Sequence, residues 1–130
     1  GNKWVSIKNN LFMSIFFNLR PEIDIKKLTS VSCSIVKKSL FKMVDKKIKI
    51  KKPNDILIDK KKVCGILQET IFYNNNKFAI IGIGINIVKS PKIINYPTSY
   101  LNLYSKKKLT SIKVCTEIKK NFENYLDKLV

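Results

Sequence analysis

The period of the apolar positions changes along the chain, and each change predicts an element. Residues 10–19, NLFMSIFFNL, form a nearly continuous apolar run of strand length that Pro21 and Glu22 stop. From about Asp24 to Met43 the apolar residues recur at Leu28, Val31, Ile35, Val36, Leu40 and Met43, with Lys37, Lys38 and Lys42 opposite, which predicts one amphipathic helix. Residues 46–52, KKIKIKK, alternate strictly. Ile48 and Ile50 therefore face one way and Lys47, Lys49 and Lys51 the other. Pro53 lacks the backbone donor and ends that strand; Ile56 to Ile58 is a second short strand, and Asp59 to Lys62 a turn.

The next run, VCGILQETIFY at 63–73, reads as a strand with Gly65 inside it, the mark of a bulge or of a close backbone approach. Asn74, Asn75 and Asn76 supply a loop, because Asn tolerates the left-handed conformation, and FAIIGIGINIV at 78–88 returns as the antiparallel partner. Pro91 and Pro97 exclude regular structure between 89 and 99, after which Thr98 or Ser99 caps a short helix around Tyr100 to Leu103. A last helix starts near Thr110 or Ser111, with Ile112, Cys115, Ile118, Phe122, Tyr125, Leu126 and Leu129 on its apolar side. Helices and hairpins in this order indicate an α+β domain without internal repeats.

Composition narrows the function. With 130 residues, 45% of them hydrophobic, the chain is one domain able to bury a core. Its net charge of +17 first suggests a polyanion partner, and a basic nucleic-acid-binding module is one reading. Against it, Arg20 is the sole arginine and the lysines are spread from Lys3 to Lys128, as on a solvated surface. There is no histidine, and Cys33, Cys64 and Cys115 form no CxxC pair. A Cys/His zinc site and any imidazole base are thereby excluded. The odd cysteine count fits reduced thiols in the cytoplasm, and the longest apolar run, 78–88, is too short to cross a bilayer.

Two places invite chemistry, each with a plain alternative. Gly82 and Gly84 either relieve crowding in a twisted sheet or bring bare backbone close to a ligand; no GxGxxG opens a helix there, so a dinucleotide fingerprint fails. Lys51 stands before the Pro53-Asn54-Asp55 corner. It is either one more solvated lysine or a cation fixed where negative charge develops. Asp55 and Glu69 are either turn and surface residues or oxygen donors to Mg2+.

Taken together, KKPNDILIDKKKVCGILQE (51–69) and IIGIGINIV (80–88) resemble the signature of the biotin protein ligases: Lys-Trp-Pro-Asn-Asp, a Gly-Ile-Leu-x-Glu strand, then Gly-x-Gly-Ile-Asn. GNKWVSIKNNLFMSIFF is similar to the end of that family's glycine- and arginine-rich loop and the strand after it, and PTSYLNLY (97–104) to its Thr-Ser-Leu segment. The resemblance implies the fold shared with class II aminoacyl-tRNA synthetases, a mixed, largely antiparallel sheet flanked by helices. It implies biotin and MgATP as substrates, biotinyl-5′-AMP as intermediate, and a biotin carboxyl carrier protein as acceptor. A lipoate ligase or lipoyl transferase is the sister reading. Homodimer formation through sheet edges is left open.

By the same resemblance Lys51 contacts the biotin carboxylate and the adenylate phosphate, and Asn54 and Asp55 belong to the adenylate site, with Asp55 as its candidate metal ligand. Gly65, Ile66 and Leu67 line the biotin rings. Asn86 lies near the nucleotide, with Gly82 and Gly84 allowing close approach, and Trp4 closes over the adenylate. The chain departs from the pattern with Lys52 where the family has Trp and Asn2 where it has Arg. The family's upstream biotin motif and most of the Gly-Arg loop precede position 1, so these residues are expected to form the later, larger part of a catalytic domain and to be inactive alone.

Overall fold

In the computed structural model, which describes residues 4–130, five strands and two helices alternate as the apolar periods require. They are β1 (Leu11–Asn18), α1 (Ile25–Phe41), β2 (Ile48–Lys51), β3 (Asp55–Ile58), β4 (Lys61–Tyr73), β5 (Asn76–Ile85) and α2 (Ser111–Tyr125), with short 3₁₀ turns at Leu101–Leu103 and Leu126–Lys128. The strands form one sheet in the order β1-β5-β4-β3-β2. The fold class is the expected α+β. The sheet, expected to be mixed and largely antiparallel, is antiparallel in every strand pair, and its parallel contact is an isolated bridge between Lys62 and Thr98.

Strand alternation sorts the sheet into two unlike faces. Ile56, Ile58, Cys64, Ile66, Ile81, Ile83 and Ile85 are buried on one face, in a core shared with Leu28, Val36 and Leu40 of α1 and Val114, Ile118 and Phe122 of α2. Helix α1 packs on β2, β3 and β4, while α2 packs on β1 and on α1. Asn121 Nδ2 donates to Ser39 Oγ at 2.8 Å, satisfying both polar groups where the helices meet. Asp24 caps α1 by accepting from Lys27 N at 2.8 Å, and Thr110 caps α2 from Lys113 N at 3.3 Å. The other face stays open, with Phe12, Phe16, Leu67 and Ile71 exposed along it.

Turn chemistry fixes the registers. Asn74 and Asn75 have φ of 48° and 63°, closing the β4–β5 hairpin in two residues, and Asp59 and Lys60 do the same between β3 and β4 with φ of 49° and 63°. The turn expected over 59–62 is thus only two residues long, since Lys61 already pairs. A lysine in the left-handed region costs about 1 kcal/mol. Lys60→Gly is expected to raise stability by a few tenths to about 1 kcal/mol, seen as a higher urea midpoint at unchanged slope; a lower midpoint would contradict the turn assignment.

The sequence placed a bulge or close approach at Gly65. The bulge lies earlier: Ile56 opposes Cys64 but Leu57 opposes Lys62, so Val63 is the extra residue, while Gly65 pairs regularly between Asp55 and Gly84.

Candidate active site

The three-residue corner Lys52-Pro53-Asn54 folds β3 back on β2 so that Lys51 and Asp55 stand opposite one another. The row continues across the sheet through Gly65, Gly84 and Phe12. Directly paired residues point to the same face, so Lys51, Asp55 and Phe12 project beside a floor of two glycines on the open face. The carbonyl of Asn54 accepts from Ile66 N at 3.0 Å and pins the corner to β4.

Both glycines in this row have negative φ, so the need for glycine comes from close approach. Trp4 lies on them: a Cβ on Gly84 would sit 2.5 Å from Trp4 Cδ2, and one on Gly65 3.5 Å from Trp4 Cε3 and 3.2 Å from Lys62 Cε. Gly82 differs from the expectation. A Cβ there would meet Phe12 Cζ at 3.6 Å, ordinary contact distance, so nothing in this structure requires glycine at 82.

The bulge at Val63 has a chemical consequence. Uninterrupted alternation would send Lys62 to the buried face of Cys64; the extra residue turns it to the face of Gly65 instead. Lys62 Nζ there lies 3.2 Å from Asp55 Oδ1, with the side chains only 21% and 18% exposed. Asp55 Oδ2 accepts from the Tyr96 hydroxyl. The Tyr96 ring is in turn approached by two ammonium groups, Lys51 Nζ at 4.7 Å from its centroid and Lys62 Nζ at 5.4 Å, while Lys62 also lies 6.0 Å from the Trp4 ring. Burial, then the hydrogen bond to Asp55 and that residue's charge, push the Tyr96 phenol from its ordinary 10 up to about 12. The hydroxyl therefore remains a donor at neutral pH. Stability linked to this proton is whole below pH 10 and is lost as pH rises through about 12.

Tyr96 reaches the site because its own loop is tied to Lys62. Lys62 N donates to Pro97 O, and Ser99 N to Lys62 O, both at 2.9 Å. Ile93 and Tyr96 form an isolated bridge across Asn95, whose φ is 62°. The sequence reading overlooked Lys62 and Tyr96. Lys62 looks like one member of a lysine run, and Tyr96 lies far along the chain between two turn residues.

Three expected site residues are placed otherwise than the resemblance implied. Ile66 pairs with Ile83 on the core face and is 1% exposed, because period-two alternation puts it opposite Gly65 and Leu67. Asn86 is also 1% exposed. Its Nδ2 donates to Ser99 O at 3.1 Å and its Oδ1 accepts from Asn10 Nδ2 at 3.4 Å, so it clips loops together beneath the site. Asp55 does not fit a resident Mg2+: its two oxygens are held by Lys62 and Tyr96, and no cluster of three metal-ligating side chains occurs among the described residues. Glu69, the other carboxylate considered, lies on β4, where it pairs with Ile80. Lys52 is exposed in the corner, and Asn2 lies outside the described residues.

The cysteines offer no nucleophile at the site. Burial, then the charge of Asp55, pushes the Cys33 thiol up to about 11, and burial above all pushes that of Cys64 well up too.

The sequence and the fold both have relatives. The model of the Biotin/lipoate A/B protein ligase family matches residues 1–86. The bifunctional ligase/repressor BirA of Bacillus subtilis is 38% identical over 87 residues, which cover 64% of this chain and 26% of that protein. The chain therefore spans about a quarter of the length of the curated relatives it matches. Among solved structures, the biotin protein ligase of Leishmania major in complex with biotinyl-5-AMP superposes with a TM-score of 0.81 at 21% identity, covering 96% of this chain and 57% of that one. The biotin protein ligase of Aquifex aeolicus in complex with biotin and ATP superposes with a TM-score of 0.74 at 27% identity, covering 98% and 56%. With 86 of its 130 residues matched by the family model, the chain belongs to the biotin/lipoate A/B protein ligase family.

Proposed function

We propose that this chain is part of the catalytic domain of a biotin protein ligase. In the intact protein a carboxylate oxygen of biotin attacks the α-phosphorus of ATP, the bond from that phosphorus to the bridging oxygen breaks, and pyrophosphate leaves. The ε-amine of a lysine on a biotin carboxyl carrier protein then attacks the acyl carbon of biotinyl-5′-AMP, loses its proton and expels AMP. Magnesium enters with the nucleotide as MgATP. The reaction belongs in the cytoplasm, where ATP and reduced thiols coexist. No helix of the described residues is long and apolar enough to cross a membrane.

The observation that carries this reading is the single row Lys51, Asp55, Gly65, Gly84 on the open sheet face. Exposed Leu67, beside the glycine floor on which Trp4 lies, suits a compact, largely apolar ring system. The ammonium of Lys51 at the end of the row suits the phosphate oxygens on which charge grows during in-line displacement. Asn54 serves through its carbonyl, holding the corner, and Trp4 covers the floor. If two copies pair through a sheet edge, β1 is the edge suited to it, because the lysines of β2 repel a second copy.

The test is pyrophosphate release from ATP by the intact protein, with biotin and with lipoate as alternative acids. Release that requires biotin is expected. Release with lipoate alone would transfer the reading to the sister activity. Biotin binding should also change little between 50 and 200 mM salt, whereas a protein whose main ligand is nucleic acid would bind that polymer with about 10³-fold or greater loss over the same range.

A further inference from the structure

Two lysines directed at one small site present a physical difficulty. Their charges repel, and each long side chain loses rotamer freedom when it is held. Left alone, the ammonium groups would splay into solvent. Asp55 offsets this for Lys62, through the 3.2 Å ion pair. Among the described residues the ion pair of Asp55 is with Lys62, so the same carboxylate does not account for Lys51.

Tyr96 does. Its ring face attracts both cations, at 4.7 Å and 5.4 Å, and its hydroxyl is fixed on Asp55. The loop that carries it is fixed in turn. The backbone of Lys62 bonds Pro97 O and Ser99 N, and Thr98 Oγ1 donates to Pro91 O at 2.5 Å. The ring thus keeps its place by bonds to the very residue it attracts.

We propose that Tyr96 is a positioning residue that holds Lys51 and Lys62 as a paired-cation cradle for the acyl-phosphate group, its ring setting their spacing and its hydroxyl anchoring the ring to Asp55. This rests on the ligase reading, and it makes Lys62 a second cation for the same phosphate. The ring does not touch the reacting atoms; it acts through the two ammonium groups.

The test uses the intact protein and compares Tyr96→Phe, Tyr96→Leu and Tyr96→Gln by biotin-dependent pyrophosphate release, with thermal melting alongside. Tyr96→Phe keeps the ring and is expected to stay within about threefold of wild type. The ring-less variants are expected to lose about tenfold in kcat, with the KM for biotin changed less than threefold, at melting temperatures near that of Tyr96→Phe. Two ring-less side chains of opposite polarity guard against a fold defect peculiar to one. Ring-less variants at wild-type rates would overturn the proposal, as would Phe, Leu and Gln variants all equally impaired, which would put the whole effect in the hydroxyl. A wild-type protein that releases no pyrophosphate with biotin or lipoate would instead sink the ligase reading itself, so the two failures are separable.

Discussion

Lys51→Ala in the intact protein is expected to lower biotin-dependent pyrophosphate release by about 10²- to 10³-fold, with kcat and kcat/KM falling together. The expectation follows from where β2 ends. Lys51 is exposed, at the mouth of the glycine row, and its contact among the described residues is the face of Tyr96. Removing the ammonium costs the fold within about 0.5 kcal/mol, because no buried partner is stranded. It removes a charge that matters most when the α-phosphate carries its greatest negative charge, so the loss belongs to the transition state and not to biotin affinity. Lys51→Arg is expected to restore little, since the larger planar guanidinium spreads its charge over a rigid fork and does not place it at the point the compact ammonium occupies. A loss smaller than tenfold would remove Lys51 from the reaction.

The corner that places Lys51 was legible in the sequence for a simple reason. KKIKIKK has a period of two, Pro53 must stop the ladder, and a short strand follows at once, so a hairpin has to bring the ends of the two strands together. The asparagine run likewise announced its tight turn, and α1 its apolar stripe. Period two could also have sorted Ile66 from Gly65 and Leu67, had alternation been given priority over the motif. Lys62 and Tyr96 were of another kind. A one-residue bulge reverses which face every earlier residue of β4 presents, and no local residue type demands it at Val63. Tyr96 arrives through a loop whose bonds are to the backbone of Lys62, and backbone bonds leave no side-chain signature. Asn86 illustrates the converse. An amide closing a glycine-rich strand looks available for a ligand, yet at the end of a central strand it is buried and already bonded.

The glycine floor yields the second large effect. Gly84→Ala is expected to expel the Trp4 indole from the sheet and to reduce pyrophosphate release in the intact protein by about 10²-fold, the order of loss that misplacement by about 1 Å produces. The added methyl would lie 2.5 Å from Trp4 Cδ2, and β5 cannot retreat because it is paired on both sides, with Phe12 of β1 and with Gly65 of β4. The ring must therefore move, at an overpacking cost of about 1–3 kcal/mol if it is held in place. Trp4 is the one tryptophan in these 130 residues, so in this chain its emission should shift to the red and become open to iodide quenching while the far-ultraviolet dichroism stays unchanged. Gly82→Ala is the matched control, two residues along the same strand and face, with 3.6 Å of room to Phe12 Cζ and no indole above it. It should leave the emission as it is and change stability by no more than about 1 kcal/mol, in the direction of gain, since alanine restricts the unfolded chain. Equal behaviour of the two variants would mean that Trp4 does not rest on Gly84, and the floor would then have to be sought elsewhere on the open face.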